Sequence, residues 1–251
     1  MMASGIIGFV GAWSGGRPLV AALTCLAVAV GWFGSPARAQ TEAPDGEGPV
    51  ASVWHICGKP HLDIAGRVSA LRKAGWLLVT TKNRAQFDRV ITDGFIAAFV
   101  DGGADRKGWD NYEAQISSMV RSFPDLPANS RQPFRKMIYS GNSVAALVLQ
   151  EDRKDGQIIR RCMFGGPNDP LTDFFINSNA RDKTLIVVDK AFERALVEIS
   201  TFTPPKPGDP PAGATSIQLT RLKPYAKNRL GRAPRVRVGM DIFTSVPASK
   251  R

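Results

Sequence analysis

The sequence predicts a domain of the α+β class, in which N-terminal helices pack on a C-terminal, mainly antiparallel sheet and one disulfide joins the two parts. Helical hydrophobic periodicity dominates the first half of the chain, whereas short apolar segments separated by turn residues dominate the second half. Helices and strands in separate blocks are typical of this class, because strands that alternate with helices favour a parallel sheet instead. Cys57 and Cys162 supply the predicted bridge.

The first segment, Met1–Ala39, has the pattern of a secretory signal peptide. Arg17 supplies a positive charge, Leu19–Phe33 is a run without charged residues, and Ala37-Arg38-Ala39 fits the A-x-A cleavage motif. The run is shorter than the roughly 20 residues that a membrane-spanning helix requires, although an uncleaved anchor is the alternative. We therefore expect a mature chain that begins at Gln40, is periplasmic or secreted, and has no transmembrane helix.

The rest of the chain divides into a leader, residues 40–49, and one domain, residues 50–251. The leader holds Gly, Pro and acids without an apolar run, which predicts a flexible segment. The formal net charge of +11 is concentrated near the C-terminus, where residues 201–251 contain ten Lys or Arg and two acids. This asymmetry predicts a local surface that faces anions.

Three elements are predicted at the start of the domain. Val50–Cys57 is rich in Val, Trp and Ile, which predicts a first strand. After Pro60, apolar residues recur at helical spacing up to Ala74, and Gly75 fits a C-terminal cap. Trp76–Thr80 then predicts a short strand.

Two further helices are predicted from residues that cap helix N-termini. The pairs with capping-box spacing are Asn83 with Gln86 and Asp110 with Glu113. The first of these helices ends at Gly102-Gly103. Pro124 stops the second, because proline disfavours a helical conformation in the residue before it.

The second half of the domain predicts strands and one short helix. Ser143–Leu149 and Gln157–Phe164 form a hairpin through Lys154-Asp155-Gly156. Asp169-Pro170 opens a helix that reaches Asn177. The remaining predicted strands are Leu185–Val188, Ala195–Phe202, Ser216–Leu222 and Val236–Phe243. A helix is the alternative for Ala195–Phe202, where β-branched and aromatic residues favour the strand.

Cys57 and Cys162 form an even pair once the signal peptide, which contains Cys25, is removed. An even pair in an oxidising compartment predicts a disulfide. A closed loop of this length stabilises the fold by roughly 4 to 5 kcal/mol in the chain-entropy description. The predicted bridge joins the N-terminal half to the sheet.

The same cysteines support a resemblance. A strand ending in Cys57, a helix ending in Ala74-Gly75-Trp76 and a later strand with Cys162 resemble small secreted alphaproteobacterial proteins of unknown function with one disulfide. The resemblance covers about half of the mature chain. It implies a disulfide-bridged α+β domain and carries no activity with it.

The densest group of chemically reactive side chains is His55, Cys57 and His61. A structural zinc site needs four ligands, and the disulfide removes one of these three, so we expect neither a metal nor a cofactor. The alternative is a secreted phosphodiester hydrolase in which His55 and His61 act as acid and base and Lys59 stabilises charge. A non-enzymatic protein is the preferred interpretation, because no specific catalytic motif surrounds the two histidines.

The basic segment, residues 221–237, is the feature that predicts binding. Its seven cations are Arg221, Lys223, Lys227, Arg229, Arg232, Arg235 and Arg237, and no acid lies among them. Pro224, Gly231 and Pro234 predict an exposed hairpin loop between two strands. Tyr225 is its only aromatic residue, so a base-stacking platform and nucleic-acid binding are not expected.

These features together predict an exported protein of the cell envelope without enzymatic activity. The basic segment would bind anionic lipid, lipopolysaccharide or an acidic protein, because each presents a dense negative charge. A basic surface that only faces water is the alternative.

Overall fold

The computed structural model describes residues 48–100, 104–127, 130, 132–181, 185–200 and 213–248. Within these ranges the helices are α1 (Pro49–Cys57), α2 (Ile64–Lys73), α3 (Arg84–Phe99), α4 (Arg106–Ser122), α5 (Pro170–Arg181) and α6 (Ala226–Leu230). The strands are β1 (Trp76–Leu78), β2 (Phe134–Tyr139), β3 (Ala146–Lys154), β4 (Gln157–Gly166), β5 (Leu185–Val188), β6 (Phe192–Ser200), β7 (Ala214–Leu222) and β8 (Val238–Pro247).

The strands form one sheet in the order β1-β2-β3-β4-β8-β7-β6-β5. Every neighbouring pair in this order is antiparallel. The last strand, β8, lies between β4 and β7 and joins the two halves of the sheet. The predicted α+β class, with helices on an antiparallel sheet and one disulfide, is confirmed.

The sheet carries a layer of helices on each face. Successive residues of a strand point to opposite faces, so Leu147 and Leu149 contact the layer of α1, α2 and α5. Ala146 and Val148 contact the layer of α3, α4 and α6. The two layers place the basic segment and α2 on opposite faces of the sheet.

The predicted first strand, Val50–Cys57, is wrong, because these residues form helix α1. Its buried residues are Val50, Ala51, Val53, Trp54 and Cys57, which recur with helical spacing. A short apolar run does not separate strand from helix by periodicity, and Pro49 at the first helical position favours the helix.

Several predicted boundaries shift. Helix α4 begins at Arg106 rather than Asp110, because Asp105 is the N-cap and its carboxylate accepts the amide of Gly108. Helix α3 ends at Phe99, and its predicted end at Gly102-Gly103 falls outside the described residues.

Two elements have weak sequence signals and were not predicted. In β2, Arg135 and Lys136 interrupt the apolar pattern, although Met137 and Ile138 are buried on opposite faces. Helix α6 is five residues long and lies inside the predicted loop, where Gly231 ends it in the left-handed conformation. Short elements such as these depend on tertiary contacts rather than on their own periodicity.

Turn and cap residues were predicted correctly. Asp155 and Gly156 both have positive φ, as a two-residue hairpin turn between β3 and β4 requires. Asp169 precedes α5 and its carboxylate accepts the amide of Thr172. Gly75 follows α2 with φ +88°.

Three glycines let α3 lie unusually close to the sheet. A Cβ on Gly94 would lie 2.5 Å from the Cα of Gly165 in β4, and a Cβ on Gly239 in β8 would lie 2.5 Å from the carbonyl oxygen of Gly94. Gly165 and its neighbour Gly166 both belong to β4, although a glycine pair is typical of a tight turn. Close approach of helix and sheet backbones, rather than a turn, explains Gly165.

The predicted disulfide between Cys57 and Cys162 is confirmed. The two Cα atoms are 6.2 Å apart, and both side chains are completely buried. The bridge joins α1 to β4 and therefore ties the first helical layer to the middle of the sheet.

Candidate functional site

The basic segment packs against helices α3 and α4 and is not an exposed hairpin loop. It connects β7 to β8, and Ala226, Leu230 and Val236 are buried in the apolar layer of α3 and α4. The expectation of an exposed loop is therefore wrong for this part of the segment. The three apolar residues are spaced along it and anchor it at separate points.

Asp93 of α3 holds the second half of the basic segment. Asp93 is completely buried, and Arg232 donates to both of its carboxylate oxygens at 2.9 and 2.5 Å. Arg232 also donates to Glu113 of α4 at 2.7 Å, and the amide of Arg235 donates to Asp93 at 2.6 Å. The hydrogen bonds to Asp93, followed by those to Glu113, raise the pKa of Arg232. This cation is a structural anchor.

The first half of the segment is neutralised in a similar way. Arg221 lies 2.6 Å from Glu193 of β6 and 2.5 Å from Asp173 of α5. Lys223 lies 3.6 Å from the same glutamate. These carboxylates are half-buried or exposed, so the pairs screen the charge of the segment without burying it fully.

The other three cations of the segment have no ion-pair partner among the described residues. Lys227 and Arg237 are exposed. Arg229 is half-buried, donates to the carbonyl of Ala104, and places its guanidinium 5.9 Å from the ring centre of Tyr225. The cations available to a ligand are therefore fewer than the sequence indicates.

A neighbouring arginine, which the sequence did not single out, adds to this group. Arg106 in the first turn of α4 is exposed and occupies the space into which a side chain at Gly231 would project. Its nearest carboxylate, on Asp110, is 4.0 Å away, and both side chains are more than half exposed. Arg106, Lys227 and Arg229 form what we call the α6 face.

His55, Lys59 and His61 are all exposed. In the predicted strand His55 and Cys57 would share one face, but in helix α1 His55 is exposed while Cys57 is buried. Within the described part of the chain, no three His, Cys, Asp or Glu side chains lie together as a metal site requires. The hydrolase that uses the two histidines stays a prediction.

Arg67 of α2 is a buried charge that sequence reasoning missed. It is completely buried and donates to the carbonyls of Leu62 and Lys59 at 3.1 and 3.2 Å and to the hydroxyl of Thr244 at 2.6 Å. Its guanidinium also lies 3.4 Å from the sulfur of Cys162. Burial lowers the pKa of Arg67 to about 10. The residue fixes the α1–α2 connection on β8.

Asp241 of β8 is a second buried charge that sequence reasoning missed, and it forms an ion pair. It is almost completely buried, and Arg161 of β4 binds both of its oxygens at 2.8 and 2.6 Å. The Arg161 guanidinium also lies 4.5 Å from the ring centre of Phe243. Burial raises the pKa of Asp241, and the hydrogen bond from Arg161 opposes that effect only in part.

Comparison with known proteins gives no relative: no family model, curated protein or solved structure matches this chain. The resemblance to small secreted alphaproteobacterial proteins of unknown function therefore stays a prediction. No helix among the described residues is long and apolar enough to cross a membrane.

Proposed function

We propose that this chain is an exported, non-enzymatic protein of the cell envelope that binds an anionic lipid surface through the α6 face. The observation that carries the proposal is that Arg106, Lys227 and Arg229 lie around one short helix, and the single ion pair that they form among the described residues is the exposed contact between Arg106 and Asp110 at 4.0 Å. Phospholipid and lipopolysaccharide both present phosphate groups, which such cations attract.

The physical strength of this attraction follows from the number of available cations. Each basic residue close to an anionic membrane contributes about 1 kcal/mol, and salt screens the attraction over roughly 8 Å at physiological ionic strength. Tyr225 is 39% exposed beside Arg229 and adds an amphipathic ring of the type that favours membrane interfaces. The α6 face therefore combines charge with one interfacial aromatic residue.

Export is supported by the disulfide. Two buried, bonded cysteines are typical of proteins that fold in an oxidising compartment. The Ala37-Arg38-Ala39 motif predicts cleavage before Gln40. N-terminal sequencing of protein from the envelope fraction should begin at Gln40, and recovery of only membrane-bound chain that still carries Met1 would contradict export with cleavage.

Co-sedimentation with vesicles of anionic phospholipid tests the binding surface. The double variant R106S/K227S should bind roughly thirtyfold more weakly than the unmodified protein, because two cations of about 1 kcal/mol each are removed. The matched control is K82S/R121S, which removes two exposed cations from the N-terminal side of α3 and the last turn of α4.

The control should bind as well as the unmodified protein, and binding by both should decrease steeply as salt rises. Equal sedimentation of R106S/K227S and K82S/R121S would show that the α6 face is not the binding surface. Absence of sedimentation of the unmodified protein at low salt would remove the lipid proposal altogether.

A further inference from the structure

A groove of about 750 Å³ lies between α2 and the segment that leads into β2. One wall is the outer side of α2, and the other includes Pro133 and Arg135. The groove belongs to the face of the sheet covered by α1, α2 and α5, so it is separate from the α6 face. Its volume is within the range of sites that bind small molecules.

The middle of the groove is apolar. Ala65 and Pro133 are exposed in it, and Val68 is partly buried between them and the core. Ala65 and Val68 are three residues apart on α2 and therefore share one side of the helix. A ligand that lies along the helix would cover this apolar strip.

The end of the groove at the C-terminus of α2 is cationic. Arg72 and Lys73 are exposed there and have no ion-pair partner among the described residues. Arg135 on the opposite wall donates to the carbonyls of Gln132 and Phe134, each at 2.6 Å, and to that of Ser130, and it forms no ion pair within the described part of the chain. Three positive charges therefore line the groove, and none of them forms an ion pair with a carboxylate of the described residues.

The two acids that line the groove are already bound within the fold. The carboxylate of Asp63 accepts the amide of Gly66 at 2.7 Å and caps α2. The carboxylate of Glu151 accepts from Arg160 at 2.7 Å. Neither acid neutralises the cations at the opposite end of α2.

We propose that this groove binds a small amphiphilic anion. Its carboxylate or phosphate group lies against Arg72 and Lys73, and its apolar body lies over Ala65, Val68 and Pro133. The eight residues from position 65 to position 72 span about 10 Å along the helix, which suits a short acyl chain. The site is independent of the α6 face, and it adds a soluble ligand to the proposed function.

Titration calorimetry with the full-length, disulfide-bonded protein tests the site. Octanoate and octyl phosphate, which have the same chain and different acid groups, should both bind saturably, and the tighter of the two identifies the preferred head group. Octanol, which lacks the charge, and inorganic phosphate, which lacks the chain, should each bind at least tenfold more weakly. Equally tight binding of octanol and octanoate would overturn the role of the cations.

Variants locate the binding. R72S/K73S should bind octanoate at least tenfold more weakly, whereas R153S/K154S, which removes an exposed Arg-Lys pair from the β3–β4 hairpin, should bind normally. Ala65→Glu, which adds a negative charge to an exposed helical position in the groove, should also abolish binding. Unchanged binding by both R72S/K73S and Ala65→Glu, or no saturable binding by the unmodified protein, would refute the proposal. R106S/K227S should bind octanoate normally, which separates this result from the vesicle experiment.

Discussion

Asp93 tolerates complete burial because Arg232 and Arg235 complete its hydrogen bonds. Arg232→Met would leave most of the negative charge of Asp93 uncompensated, and a buried charge without its partner destabilises a fold strongly. We expect a loss of about 3 kcal/mol in the free energy of unfolding, measured by urea denaturation. Arg237→Met, at an exposed position of the same segment, should change the free energy by less than about 0.5 kcal/mol.

A second substitution distinguishes loss of charge compensation from loss of packing. In R232M/D93N the buried carboxylate becomes a neutral amide, so the double variant should be more stable than R232M alone. A double variant with a lower free energy of unfolding than R232M would show that the charge of Asp93 is not the reason why the single substitution destabilises the protein.

Asp241 predicts a pH dependence with a definite sign. Its pKa in the folded protein lies above the usual value of 3.8, so the folded state retains a proton that the unfolded state has already lost. The contribution of Asp241 to the free energy of unfolding is fully present below pH 3.8, and it is lost as the pH rises through the pKa that Asp241 has in the folded state. The stability of D241N relative to the unmodified protein should therefore be greater at pH 7 than at pH 4 in urea denaturation. An unchanged or opposite difference would contradict the assigned direction.

Among the elements, α3 is the one that depends most directly on glycine. Gly94→Ala would place a Cβ 2.5 Å from the Cα of Gly165, and backbone atoms cannot move aside as a side chain can. We expect a loss of about 2 kcal/mol or more, although alanine usually stabilises a helix relative to glycine. Gly66→Ala in α2 is the control, because its Cβ would meet only side-chain atoms at 3.2 Å or more. Equal stability of the two variants would contradict the close contact.

Elements whose ends are set by turn or capping residues could be predicted from the sequence. Asp155-Gly156 specifies a hairpin turn, and Asp169-Pro170 specifies a helix start, because each acts on adjacent backbone atoms. Val50–Cys57 could not be assigned correctly, because a short apolar run fits the periodicity of a helix as well as that of a strand. The residues against which this segment packs lie elsewhere in the sequence. The available charge of the basic segment depends on the same kind of distant contact: Arg232 and Asp93 are 139 residues apart, so no local pattern shows that Arg232 is neutralised.

At the scale of the whole molecule, the Cys57–Cys162 bridge connects parts of the chain that are 105 residues apart. Reduction would release a long loop in the unfolded state, so we expect the free energy of unfolding to decrease by roughly 4 kcal/mol. Urea denaturation before and after reduction by a dithiol measures this change, with free thiols counted at the end. The variant C57A/C162A should respond to neither oxidation nor reduction, and an equal response of both proteins to the dithiol would exclude the bridge as the cause.

The position of β8 has a consequence for the order in which the protein is completed. Strands β1–β4 and β5–β7 form two separate antiparallel units, and the strand that joins them follows all seven of them in the described part of the chain. A polypeptide that is still being synthesised from its N-terminus lacks the strand that unites the sheet until β8 has been added. Final assembly must wait until residues 238–247 have been synthesised, which keeps the first seven strands from closing into the native sheet before β8 is present.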